Sequence, residues 1–321
     1  MQGLTEVLFR RVYEECFPGA IASAVAPFIA LTRNMRFSTD NAQIADVLPE
    51  NNVGSIPVIP QILGKEPDEF ITLSNRLYDL GYREINWNMG CPMRAIAAKH
   101  RGSGILPYPN EVRSILDQVI PAMKPSLSVK VRLGLKDSGD IFRLVPVLND
   151  YPLASVTIHP RLGRQQYTGH PDLDTFGQVL PLLKAPVIYN GDILTSADAR
   201  RIKERFPQVA DLMVGRGVLY NPALPLEISG QWSVSSGQYA TQNGDSLLAT
   251  DNRLLATRLF IRRLMEEIRL RMPTDESRIR KTKEYWCLLW KSLPITEMQA
   301  REVLRQEKLT IVEKMIYDFL Q

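Results

Sequence analysis

The chain has 321 residues, 45% of them apolar and 23% charged, with a formal net charge of +4 and a mean hydropathy of −0.14. That balance excludes a disordered or fibrous chain, and no apolar run reaches the roughly 18 residues of a membrane span, so a cytoplasmic protein is expected. Three scattered cysteines, Cys16, Cys91 and Cys287, exclude a disulfide framework, and no His or Cys spacing points to a metal site.

The opening "MQGLTEVLFRRVYEECF" interleaves charges where a signal peptide would be continuously apolar, and residues 4–16 read as a helix. Strand-like runs follow in the order "AIASAVA", "SIPVIPQI", "REINWNM", "SLSVKVRLG", "ASVTIHPR", "APVIYNGD" and "ADLMVGRG". Between them lie amphipathic stretches such as "PDEFITLSNRLYDLGY" and "NEVRSILDQVIPAMK". This alternation predicts parallel strands joined by crossover helices, and seven strands fall one short of a (β/α)₈ TIM barrel. The strand that would precede the helix over 4–16 is expected upstream of Met1. "SVSSGQYATQNGDSLLATDN", from Ser233 to Asn252, is polar and without period, which predicts a linker. Beyond it, "RLLATRLFIRRLMEEIRLRM", "KTKEYWCLLWKSL" and "TIVEKMIYDFL" have helical spacing and predict a bundle of three or four helices. The expected organisation is therefore a barrel over 1–235, a linker over 236–252 and a helical domain over 253–321. Between Arg253 and Lys291 there are eleven Lys or Arg against five Asp or Glu, a surplus larger than that of the whole chain.

In a parallel barrel the working groups stand at the carboxyl ends of the strands. Here nearly every strand ends on a polar residue: Gln61, Asn88 with Cys91, Lys130, His159, Asn190 and Arg216. Lys130, set between Val129 and Val131, is costly to bury without a partner and points to an anion or a polar ring. Gly191 and the glycines at 215 and 217 lie on the last two loops, where backbone N–H groups of such barrels hold phosphate. Pro92 suits the first position of a helix, which would put Cys91 at the N-cap. Its thiol is then expected to lose a proton more easily than usual while remaining mostly protonated at neutral pH, as a proton donor requires.

The sequence "EINWNMGCP", then "KHRGSGIL", "SVKVRLG", "IHPRLGRQQYTG", "VIYNGDI" and "VGRGVLYNPAL", resembles the tRNA-dihydrouridine synthases, flavin enzymes that reduce a uridine in transfer RNA. The likeness extends over residues 1 to about 225, and "MQGLTEVLFRR" is similar to that family's first flavin-contacting turn. It implies that reduced FMN gives a hydride to carbon 6 of uracil while a cysteine, here Cys91, delivers a proton to carbon 5. It implies FMN contacts at Met1, Gln2, Gln61, Lys130, His159, Asn190, Gly191, Asp192, Gly215 and Arg216, with Asn88, Arg161 and Tyr167 against the substrate. NADPH would reload the flavin. The target uridine must leave the RNA stack to enter a barrel, so a gripping surface is needed. Arg278, Lys281 and Lys283 of the helical tail, with Arg262, Arg263 and Arg280, are the expected phosphate contacts, and Tyr285, Trp286 and Trp290 are candidates for stacking on bases. For the two tryptophans, four residues apart, a place in the bundle core is the better reading. No feature asks for more than a monomer. The alternatives are a small-molecule flavin oxidoreductase of the dihydroorotate dehydrogenase or ene-reductase type, and an RNA-binding protein that has lost catalysis.

Overall fold

The computed structural model describes residues 1, 3–31, 37–38, 40–230 and 252–321. Gln2 and residues 236–251 of the expected linker lie outside them.

Several helices begin where the sequence supplies a start signal. The helices α1 (Val7–Cys16), α2 (Pro67–Asp79), α3 (Pro109–Ala122), α4 (Gly139–Leu148), α5 (Leu173–Val179) and α6 (Ser196–Arg205) follow in chain order. Proline opens α2 and α3 with its φ already set for a helix, and Asp68, Glu69 and Glu111 sit in their first turns, where the dipole favours a negative charge. A reciprocal Thr195–Asp198 capping box opens α6. Between them run seven strands: β1 (Ala24–Ala30), β2 (Val58–Leu63), β3 (Glu84–Met89), β4 (Ser126–Gly134), β5 (Val156–Leu162), β6 (Val187–Tyr189) and β7 (Asp211–Leu212).

The strands pair in parallel in sequence order, and among the described residues β1 and β7 form the two edges. β1 lies further along the chain than "AIASAVA" suggested and runs through Pro27, with a register shift between Val25 and Phe28. An edge strand with a bulge tolerates a residue that cannot donate to the ladder. β6 and β7 are shorter than their apolar runs, because the chain leaves the ladder early to form the loops after Tyr189 and Leu212.

Alternation along β3, β4 and β5 separates two faces. Ile85, Trp87, Met89, Leu127, Val129, Val131, Val156 and Ile158 belong to one apolar core shared with the crossover helices. The intervening residues, Asn86, Asn88, Ser128, Lys130, Arg132, Thr157, His159 and Arg161, are polar and face the other way, into the curl of the sheet.

The tail folds into four helices, α7 (Asn252–Arg271), α8 (Asp275–Leu289), α9 (Glu297–Arg305) and α10 (Leu309–Phe319). Its apolar core is not self-contained. Leu8, Phe9, Val12 and Tyr13 of α1 pack in one cluster with Phe260, Ile261 and Leu264 of α7 and Tyr285 and Trp286 of α8. The Phe260 ring centroid lies 5.4 Å from Phe9, 5.9 Å from Tyr13 and 5.8 Å from Phe17. The helix opening the expected barrel segment is thus roofed by the tail. Among the described residues no helix is long and apolar enough to cross a membrane.

Candidate active site at the carboxyl ends of the strands

Register brings the inward polar residues together. Gln61 of β2 pairs with Asn86 of β3, Asn86 with Ser128 of β4, and Asn88 with Lys130. Lys130 in turn lies opposite Thr157 of β5, and Arg132 opposite His159. The mouth formed by these strands is strongly cationic, with Asp192 as the carboxylate that pairs there.

Cys91 stands at the end of β3, buried. Its backbone is clamped from several sides: its N–H donates to Asn88 Oδ1 at 2.9 Å, and its carbonyl accepts from both the N–H and the hydroxyl of Ser103 at 2.9 Å. Arg132 Nε donates to the carbonyl of Gly90 at 2.9 Å. Gly102, at φ +56°, lies so close that a Cβ there would meet the Cys91 carbonyl oxygen at 2.7 Å. The expected N-cap placement is corrected: the helix that follows spans only Arg94–Ala97 and its N-cap is Met93. Burial pushes the thiol above its ordinary pKa, and the Met93 N–H, Arg132 and Lys130 pull downward without overcoming it. The thiol therefore holds its proton at neutral pH more firmly than a free cysteine.

Lys130 is half-buried and makes no hydrogen bond or ion pair among the described residues. Burial, and then Arg132, holds its ammonium down to about 7. His159 Nε2 lies 3.2 Å from Arg161 Nη1 and can only accept there, which fixes the ring's tautomer. Burial and the surrounding cations Lys130, Arg132, Arg161 and Arg216 hold it far below the usual imidazole range, so the ring is neutral.

Arg161 is fully engaged within the protein. All five of its N–H donors are engaged, on the Thr168 and Gly169 carbonyls, His159 and both oxygens of Asp192, and the side chain is 1% exposed. Its work is to hold Asp192, whose backbone φ of +43° is unusual for a residue with a side chain. Burial would raise the Asp192 carboxyl, but Arg161 and Arg216 outweigh it and hold the group below the usual carboxylate range. Arg216 Nη2 donates to the same carboxylate at 3.1 Å, and its guanidinium lies 5.0 Å from the centre of the Tyr167 ring, which is 55% exposed. Asn190 Nδ2 donates to the Met213 carbonyl at 2.7 Å and ties the last two loops together. The backbone N–H groups of Gly191, Asp192, Gly215 and Arg216 have no acceptor among the described residues, and nothing lies within 4 Å of where a Gly215 Cβ would stand. Free donors, open space and an adjacent guanidinium are what a phosphate needs.

Asn88, expected against the base, is held within the protein on both sides of its amide. Its Oδ1 takes the N–H groups of Gly90 and Cys91, and its Nδ2 donates to Gln61 Oε1 at 2.7 Å. Asn86, Ser128, Arg132 and Ser103 were not singled out from the sequence, although the period-two recurrence of polar residues in "EINWNM" and "SLSVKVR" carried the signal for the first three. Burial, and then Arg10, holds the Met1 ammonium down to about 5, and Lys130 lies near enough to add a small push in the same direction.

In the tail, Lys281 is turned inward. Its ammonium donates to the Gly3 carbonyl at 2.6 Å and to Glu6 Oε2 at 2.8 Å, and its side chain is 12% exposed, so it braces α8 against the residues that precede α1. Arg278 closes on the Met272 carbonyl and on Asp275, both at 3.0 Å. Arg263 pairs with Glu15 and Glu266. Tyr285 and Trp286 are each 2% exposed and form core, so neither stacks on a base. Arg280 and Lys283 make no ion pair among the described residues and remain available.

The family described as dihydrouridine synthase (Dus) matches residues 1–240. The chain belongs to that family. tRNA-dihydrouridine synthase B of Pasteurella multocida (strain Pm70) is 29% identical over 225 residues, which cover 70% of this chain and 65% of that protein. A probable tRNA-dihydrouridine synthase of Rickettsia prowazekii (strain Madrid E) is 28% identical over 231 residues, covering 71% of this chain and 68% of that one. The chain thus spans about two thirds of the length of these relatives. Morphinone reductase superposes with a TM-score of 0.52 at 12% identity over 72% of this chain and 83% of its own, which shows a shared barrel fold.

Proposed function

We propose that the chain reduces the C5–C6 double bond of uridine in tRNA, with FMN in the barrel mouth and NADPH as the electron donor. The observation that carries this reading is the buried Cys91, its backbone clamped at the end of β3, beside the Lys130 ammonium, which has no partner among the described residues. When bound, reduced FMN supplies the hydride that reaches carbon 6 of uracil. Cys91 Sγ gives its proton to carbon 5, and the resulting thiolate, stabilised by Arg132 and Lys130, regains a proton from water. Lys130 offers its ammonium to the electron-rich edge of the ring system. The N–H groups of Gly191, Asp192, Gly215 and Arg216, with the Arg216 guanidinium, hold the phosphate. His159, neutral, offers a hydrogen bond without adding to an already crowded positive field. Exposed Tyr167, flanked by Arg132 and Arg216 at 5.5 and 5.0 Å, presents an aromatic face to the entering nucleotide.

Dihydrouridine mapping of tRNA from cells with and without the gene tests the proposal, and an unchanged map overturns it. In the purified enzyme, Cys91→Ala is expected to leave flavin reduction by NADPH intact while uridine reduction falls by about 10²–10⁴-fold. Undiminished uridine reduction would remove Cys91 from the acid role.

A further inference from the structure

Four polar side chains cross the interior of the sheet as a one-way chain of hydrogen bonds that ends on the Cys91 turn. Backbone N–H groups only donate, so those of Gly90 and Cys91 require Asn88 to present Oδ1, which they reach at 3.0 and 2.9 Å. That turns Asn88 Nδ2 onto Gln61 Oε1 at 2.7 Å, and therefore Gln61 Nε2 onto Asn86 Oδ1 at 2.8 Å. Asn86 Nδ2 then donates to Ser128 Oγ at 3.0 Å. Flipping the amide of Asn88 or Gln61 would set donor against donor on one side and acceptor against acceptor on the other, and flipping Asn86 would set its amide nitrogen against Gln61 Nε2. Ser128 and Asn86 are each 2% exposed, Gln61 6% and Asn88 8%, so water cannot replace a lost link cheaply.

We infer that Asn86 and Ser128 are positioning residues for the Cys91 thiol, although neither touches it. The inference rests on the reading of Cys91 as proton donor. The carbonyl side of the turn is pinned by Ser103 and Arg132. The amide side is pinned through Asn88, and the orientation of Asn88 depends on Gln61, Asn86 and Ser128 in series. Loss of the far links frees Gln61 to rotate, which leaves Asn88 without its acceptor and lets the Cys91 turn shift. A displacement of about 1 Å at a proton donor is enough to cost ~100-fold in rate.

The test uses the full-length protein as purified and follows alkylation of Cys91 by iodoacetamide against pH, resolved by peptide mass spectrometry from Cys16 and Cys287. In Asn86→Leu the burial that raises the thiol is relaxed, so the alkylation profile is expected to move to lower pH and alkylation at neutral pH to quicken by about 10-fold. Single-turnover reduction of tRNA should fall roughly 10–100-fold with KM for tRNA within about twofold, since positioning and not binding is lost. Asn86→Asp keeps an acceptor for Gln61 while the Ser128 hydroxyl rotates to donate, and should stay within about threefold of the native enzyme in both readouts. If circular dichroism shows Asn86→Leu unfolded, Ser128→Ala, which deletes one hydroxyl, decides by the same readouts. A folded Asn86→Leu or Ser128→Ala with the native alkylation profile overturns the inference. Alkylation needs no RNA, so this outcome stays distinct from a failure of the proposed reaction.

Discussion

Lys130 shows how one residue can carry both the case for the site and a stability signature. Its folded pKa is held down to about 7, mainly by burial, whereas an unfolded lysine titrates near ~10.4. Between those values the unfolded chain binds more protons than the folded one, so this residue's penalty is full below about 7 and is relieved as pH rises toward 10. In flavin-free protein, Lys130→Met should therefore resist urea better relative to the native chain at pH 7 than at pH 10. A gap that does not change with pH would mean that the ammonium is well solvated. The inward direction of Lys130 was legible in "SVKVR", because an apolar strand with one cation leaves it only the opposite face. The state of the Cys91 thiol was not legible. Pro92 suggested a helix start, but the chain turns first, and burial then outweighs any dipole.

At the scale of elements, α1 is the piece whose place the sequence concealed. Its periodicity announced a helix with one apolar stripe, yet nothing in residues 4–16 says which partner covers that stripe. The stripe packs against α7 and α8. Phe260, fully buried and in contact with three aromatic rings of residues 9–17, is the centre of that joint. Phe260→Ala is expected to cost about 3–5 kcal/mol, read by chemical denaturation, with α1 and the tail lost in one transition. Separate transitions for barrel and tail would show that the shared cluster does not couple them.

For the whole molecule, the proposed RNA substrate would be gripped through cations of the basic tail that are left unpaired among the described residues. Arg280→Ala and Lys283→Ala should each weaken tRNA binding and reduce the slope of log affinity against log salt by roughly 1. Lys281→Ala should leave that slope unchanged and lower thermal stability instead, because its ammonium joins α8 to Gly3 and Glu6. The measurement is a salt titration of tRNA binding beside a melting curve for each variant. An altered slope for Lys281→Ala would return it to the RNA surface.

The sequence by itself determined the alternating parallel architecture, a helical tail of three or four helices and the strand ends at which polar groups gather, since these follow from periodicity and from the chemistry of neighbours in the chain. Only the tertiary structure decided which charges are available and which are paired. Arg161 meets Asp192 from 31 residues away and Lys281 meets Glu6 from 275. Electrostatic pairing depends on distance in space and on burial, and neither is a property of a residue's neighbours along the chain.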